Sequence, residues 1–345
     1  MTYIQNLLIG AVLASTFSAS PLQAAYTFRD GKIIDAQLAA TMPMDWHYNA
    51  AVGAMEACDW RESARQFAIV ASNFPLSPYG HEALFYQGVA EFNFEEYDCA
   101  DQAFSDYLQS KNHPRLFDEA IEYKYAIAEK FRSGARRRLL GTKRLPKWAN
   151  ADGHALKIYE EIIAAVPTSE LAVQSLYSKG FLHWNRRECT EAVECFQIII
   201  RRFPKHELAP ECYLMINQVY LDQSRYEFQN PDILAFAEIN VRRFAQSFPT
   251  DERVLEAEQD LLEIKEVYAQ GLYNTGQFYE RTNHPYAAIL YYRNAVIQFP
   301  ETRIAQLSQE RLGFLGYEVI GNANDEPCVP ASEEVIGRMT EVLSE

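Results

Sequence analysis

Residues 276–300 read GQFYERTNHPYAAILYYRNAVIQFP, and this stretch decides the fold. Gly276 and Tyr279 sit on one helical face. Ala288, Tyr292 and Ala295 sit on another, and Pro300 ends the run. Small residues let two antiparallel helices approach closely, as Gly276 opposite Ala288 would, while the aromatic fills the space toward the next unit. Proline then stops the second helix, because it lacks the N–H that the next turn requires. Gly180, Ala192, Phe196 and Pro204 repeat the phrase.

Other copies end in the same way: Phe74-Pro75, Val166-Pro167, Phe203-Pro204, Phe248-Pro249 and Phe299-Pro300, with His113-Pro114 as a variant. Aligned on their prolines, Ser63 and Phe67, Ala100 and Phe104, Ala155 and Tyr159, and Ala237 and Val241 take the corresponding places. The prolines lie 39, 53, 37, 45 and 51 residues apart (75, 114, 167, 204, 249, 300). Each interval is at or above the roughly 34 residues of a tetratricopeptide unit, whose small–aromatic order the phrase resembles. The spacing predicts helices over 44–56, 60–73, 78–93, 96–110, 116–133, 151–165, 169–184, 188–202, 207–223, 231–247, 251–280 and 284–298, with a cap over 301–318. The predicted fold is therefore all-α: a right-handed α-solenoid of about six degenerate tetratricopeptide repeats with a C-terminal capping helix, occupying 44–319. No stretch shows convincing period-two alternation, so essentially no sheet is expected.

The ends differ from this middle. Ile4 to Phe17 form an apolar run, followed by small residues and Pro21-Leu22-Gln23-Ala24-Ala25, which reads as an export signal over 1–24 ahead of a linker over 25–43. The first cysteine is Cys58, so no sulfur near the cleavage site is available to an acyl anchor. The expectation is an exported protein without an acyl anchor. Residues 320–345 form an acidic tail in which Val335, Ile336, Met339, Val342 and Leu343 recur at helical spacing.

The chain has 345 residues, 48% of them apolar and 13% aromatic, ample for a core. Its net charge of −15 argues against nucleic acid as a partner. Against that charge, the insertion over 133–148, SGARRRLLGTKRLPKW, stands out. Arg136, Arg137, Arg138, Lys143, Arg144 and Lys147 make it either a solvated loop or a dock for an acidic protein face or anionic headgroups, with Leu139, Leu140 and Trp148 as apolar contacts. Ser224 to Pro231 reads as an aromatic loop used for local packing.

No G-x-S-x-G, H-E-x-x-H, Gly-rich phosphate loop or dinucleotide fingerprint is present, so neither catalysis nor a cofactor is expected. Seven histidines are dispersed over the repeats, and adjacent acids such as Glu160 and Glu161 point in different directions on a helix. Six cysteines (58, 99, 189, 195, 212, 328) lack any C-x-x-C spacing. They read as small buried apolar residues, with a Cys195–Cys212 bridge as the next option and metal binding disfavoured. A solenoid offers instead a concave face made by the first helix of each repeat. Helical spacing places Tyr48, Val52 and Met55, then Phe85, Val89 and Phe92, on that face as a partner-binding groove, or as core packing between repeats.

The segments Gly276-Gln277-Phe278-Tyr279, Pro285-Tyr286-Ala287-Ala288-Ile289 and Phe299-Pro300-Glu301-Thr302, followed by Leu312-Gly313 and Leu315-Gly316, resemble the BamD family of outer-membrane assembly proteins. The resemblance spans roughly residues 44 to 318. It implies a component of the machine that inserts β-barrels, with N-terminal repeats gripping barrel precursors and C-terminal repeats meeting the insertase. The resulting expectation is a non-catalytic periplasmic adaptor that binds proteins and no small molecule. An envelope-organising or secretion-apparatus adaptor is the alternative.

Overall fold

The computed structural model describes residues 26–29, 32–35, 38–110, 114–138, 146–227 and 230–317. The expected export signal, the acidic tail and its helix, His113, Leu139, Leu140, Lys143, Arg144, Phe228 and Cys328 lie outside these residues. The chain divides into two compact units, Met1–Ile158 and Tyr159–Glu345.

The first unit holds α1 (Met44–Glu56), α2 (Trp60–Asn73), α3 (Pro78–Asn93), α4 (Tyr97–Ser110) and α5 (Phe117–Arg132). Helix α6 (Asp152–Ala165) crosses the boundary. The second holds α7 (Glu170–Asn185), α8 (Cys189–Arg202), α9 (Leu208–Tyr226), α10 (Pro231–Ser247), α11 (Arg253–Arg281), α12 (Pro285–Gln298) and the cap α13 (Arg303–Phe314). The all-α fold of successive helix pairs is therefore as the repeat phrase predicts, and α1, α2, α3 and α10 begin and end at the expected residues. Among the described residues no helix is long and apolar enough to cross a membrane.

The expectation of no sheet is corrected twice. Strands β1 (Tyr26–Arg29) and β2 (Lys32–Asp35) pair antiparallel, Phe28 opposite Ile33. The intervening dipeptide Asp30-Gly31 is a strong short-range hairpin signal, and it lies between β-branched and aromatic residues. Strands β3 (Arg137–Arg138) and β4 (Lys147–Ala149) pair inside the basic insertion, too briefly for any periodicity to announce them.

Two local devices build the repeats. In four of the pairs the first helix ends on a left-handed residue: Cys58 (φ 59°), Glu95 (φ 60°), Arg187 (φ 62°) and Asn283 (φ 62°). Each turn is closed by a reverse hydrogen bond, as from Glu96 N–H to Glu91 O (2.8 Å) or His284 N–H to Tyr279 O (2.9 Å). Between pairs, the aromatic-Pro or Val-Pro phrase leads to a capping side chain two residues beyond the proline. Ser77, Ser169 and Thr302 accept the N–H of Gly80, Ala172 and Ala305. His206 and Asp251 accept those of Leu208 and Arg253. These caps satisfy helix N–H groups that have no partner within the helix. The cap α13 stops at Phe314, short of 318, because Gly316 (φ 72°) repeats the first device and Tyr317 N–H bonds Leu312 O.

The aromatics do more than fill the space toward the next pair. A Cβ on Gly88, Gly180 or Gly276 would lie 2.8, 2.8 and 2.6 Å from the rings of Phe104, Phe196 and Tyr292. Each of these rings is fully buried and sits on the glycine of its own pair. Phe104 also stacks on Tyr123 of α5 (5.2 Å), so one ring joins two pairs. Burying such a side chain contributes roughly 1.5–3 kcal/mol.

Candidate partner-binding surfaces

In the first unit, Tyr48, Val52 and Met55 are half-buried and pack on the core residues Ala51, Phe67, Val70 and Ala83. Phe85 is only 6% exposed, enclosed by the rings of Tyr86, Phe104, Tyr107 and Tyr123. Val89 and Phe92 are half-buried, and Phe92 meets Tyr97 and Tyr123. Tyr123 thus brings Phe85 and Phe92 together, while Tyr48 belongs to the neighbouring cluster. The residues that helical spacing did not select are the exposed ones. Tyr79 is 47% exposed and lies edge-on to Tyr48 (5.0 Å), and Leu76, after Phe74-Pro75, is fully exposed. Leu76 lies in the loop before α3 and Tyr79 is the second residue of that helix, so both precede the positions that helical spacing selected there.

The basic insertion is fastened to the preceding pair. Arg138 donates twice to the Glu96 carboxylate (2.9 and 2.6 Å), and its backbone N–H donates to Asp98 Oδ2 (2.6 Å). Lys147 Nζ donates to Glu95 O (2.7 Å) and lies 3.4 Å from Glu96 Oε1. The acid that Arg138 and Lys147 meet in this structure is therefore Glu96, at the left-handed turn between α3 and α4. Burial alone would raise the pKa of Glu96; the Arg138 bonds and the Lys147 charge reverse this and hold it below its usual range. Arg137, the next residue on the strand, lines a different cleft with Asp98, Asp101 and His154. Arg136 donates to Trp148 O (3.1 Å), and the Trp148 side chain is 70% exposed.

Beneath this clasp, Lys124 Nζ donates to Asp101 Oδ1 (2.6 Å) and Ser105 Oγ (2.7 Å), and His154 Nε2 lies 3.1 Å from Asp101 Oδ2. Burial opposes ionisation of Asp101, but the His154 and Lys124 contacts outweigh it and lower its pKa. The network ties α4, α5 and α6 together within the first unit, and a buried charge so paired is costly to break. Three other histidines are likewise absorbed into local structure: His47 bridges Met42 N–H and Gln66, and His183 and His206 pair with Glu188 and Glu170. Among the described residues no three His, Cys, Asp or Glu side chains are grouped to hold a metal.

Cys58, Cys189, Cys195 and Cys212 are free thiols, so Cys195 and Cys212 form no bridge. Cys189, Cys195 and Cys212 are buried, and burial pushes the Cys195 thiol up to about 11, which makes it inert at neutral pH. Cys58, by contrast, is exposed.

In the second unit, the Ser224–Pro231 segment is shorter as a loop than expected, because α9 continues through Tyr226. Tyr226 hydroxyl meets Cys189 Sγ (2.7 Å), and Ser224 Oγ donates to Leu221 O (2.8 Å). The prolonged helix walls a cleft of about 450 Å³ lined by Phe181, Trp184, Asn185, Arg187, Asp222 and Tyr226. Farther on, Asn240 donates to Tyr213 O and Asn217 Oδ1 (both 2.8 Å), and Asn217 donates to Ala257 O (3.1 Å), locking α9, α10 and α11. Glu280 accepts from Tyr292 and Arg311 and secures the cap.

Residues 145–315, just under half of the chain, match a family described as YfiO, outer membrane lipoprotein. No curated protein sequence matches significantly. Among solved structures, MamA 41-end from Desulfovibrio magneticus RS-1 is similar at 15% identity and a TM-score of 0.33, covering 63% of this chain and 95% of that one. A tetratricopeptide repeat protein from Parabacteroides merdae ATCC 43184 is similar at 12% identity and a TM-score of 0.33, covering 88% and 99%. PilW, described as a widely conserved type IV pilus biogenesis factor, is similar at 13% identity and a TM-score of 0.28, covering 78% and 99%. From its helix pairs, its glycine–ring contacts and the family match, this chain is a tetratricopeptide-repeat protein resembling the BamD family.

Proposed function

We propose that the chain is a non-catalytic adaptor of the cell envelope, exported to the periplasm and peripheral to the outer membrane, which holds partner proteins during assembly of outer-membrane β-barrels. The observation that carries this reading is the match of residues 145–315 to the outer membrane lipoprotein family. Two surfaces of the first unit support it. The half-buried Tyr48, Val52, Met55, Val89 and Phe92, with exposed Tyr79 and Leu76 beside them, offer a ridge for the apolar side chains of a barrel precursor. Phe85 backs that ridge from the core. Of the insertion's basic residues, exposed Arg136 is assigned to an acidic partner or headgroups together with Lys143 and Arg144, since Arg138 and Lys147 engage Glu96 and Arg137 lines a cleft with Asp98 and Asp101.

The test is depletion of the protein in its native cell, followed by measurement of folded outer-membrane barrels through their heat-modifiable gel mobility. Folded barrels should fall while their unfolded precursors accumulate. Unchanged barrels, with loss of a secretion or cell-wall structure instead, would move the chain to an envelope-organising role.

A further inference from the structure

The cleft between the ends of α7 and α9 combines ring faces with a fixed carboxylate. Trp184 Nε1 donates to Asp222 Oδ2 (2.9 Å), which orients the acid, while the Asp222 side chain stays 47% exposed. Phe181 lies 5.8 Å from Trp184, and the Arg187 guanidinium already sits 5.4 Å over the Tyr226 ring. The cleft therefore shows within itself the pairing of a planar cation on an aromatic face.

The charge around it is unbalanced. Asp260 of α11 feels the charges of Glu256, Glu263 and Asp222, opposed by that of Arg225. Arg225 is half-exposed and shared between Asp222 (3.5 Å) and Glu263 (3.3 Å), a contact that an incoming cation displaces at little cost. Asp260 Oδ2 is buried with no hydrogen-bond partner.

We infer that this cleft binds an arginine side chain of a partner protein's peptide segment, its guanidinium paired with Asp222 and stacked on Trp184. Arginine is favoured over lysine because its flat fork serves a carboxylate and a ring face together. Nearby apolar side chains of the segment meet Phe181. The inference is independent of which envelope assembly the chain serves.

The acids beside the cleft make its occupancy pH-dependent. Burial, then Glu256 and Glu263, then Asp222, push the Asp260 carboxyl up to about 6, against the opposing pull of Arg225. Protonation as pH falls through that value removes one negative charge beside the cleft, so arginine binding weakens from pH 7 to pH 5.

The experiment follows the Trp184 indole N–H resonance of the full chain during titration with a blocked Ala-Leu-Arg-Leu-Ala peptide and with its citrulline counterpart. A saturable shift is expected for arginine, with binding at least about tenfold weaker for citrulline and for arginine on Asp222→Asn, whose amide oxygen still accepts the indole N–H. Asp260→Asn should flatten the dependence between pH 7 and 5. Equal binding of the two peptides, no shift with arginine, or an unaltered affinity in Asp222→Asn overturns the assignment. The citrulline comparison on the unmodified chain decides the matter if the variant does not fold.

Discussion

Helices α3 and α5 end alike and continue differently. Each closes on a left-handed residue, Glu95 in one and Gly134 (φ 103°) in the other, with reverse bonds from Glu96 to Glu91 O (2.8 Å) and from Ala135 to Lys130 O (2.9 Å). After Glu95 the chain enters α4 at once, and Phe104 returns to sit on Gly88. After Gly134 it leaves as the insertion, and α6 begins only at Asp152. The helix-ending device is thus independent of the segment the chain enters next. In the closed pair a ring on a glycine holds the second helix in place. In the opened pair, charge holds the insertion: Arg138 and Lys147 return to Glu96 in the closed pair's own turn.

Breaking the closed pair should have the largest effect. Gly88→Val drives a branched side chain into the Phe104 ring, 2.8 Å from where its Cβ would stand, and is expected to cost about 3 kcal/mol in urea unfolding. Opening the clasp comes next. Glu96→Gln removes the charge that Arg138 grips, a loss of about 2 kcal/mol confined to the insertion, read as faster amide exchange at Arg138 and Ala149. Acid should do the same. Because the Glu96 pKa is depressed in the folded state, its stabilisation is present above the ordinary value of 4.5 and is lost as pH falls through the lower folded value.

The turns sharpen the comparison further. Gly134→Ala forces a Cβ into a left-handed conformation and should destabilise by about 1 kcal/mol, although no atom lies within 4 Å of that Cβ. Glu95→Gly relieves the same strain in the closed turn and should stabilise by about 0.5 kcal/mol, visible as a raised unfolding midpoint. Opposite signs at these two sites would confirm that both helix ends use one device.

The helices were legible because glycine, aromatic and proline recur at fixed places, and each has a steric meaning that survives without context. The glycine–ring contacts follow the same spacing, from 88 to 104, 180 to 196 and 276 to 292, and were readable in principle. So were the caps two residues past each proline, once Ser77, Ser169 and Thr302 are aligned. The surfaces were far less legible. Helical spacing selected Phe85 because it is aromatic and in register, but register does not say which side of a first helix faces its neighbours. The cluster Arg136–Lys147 announced charge, yet its pairing with Glu96 joins residues far apart in the chain and depends on tertiary folding. The Trp184–Asp222 cleft likewise arises only where two first helices meet, and no local pattern marks it.

The central functional claim is that the exposed start of α3, backed by the first-unit core, holds barrel precursors. Photoreactive residues placed in cells at Tyr79, which is exposed, and at Phe85, which is buried, test it most directly. Unfolded barrel precursors should be captured from position 79 and none from position 85. Capture only of proteins unconnected with barrel assembly, or of precursors equally from both positions, would contradict it.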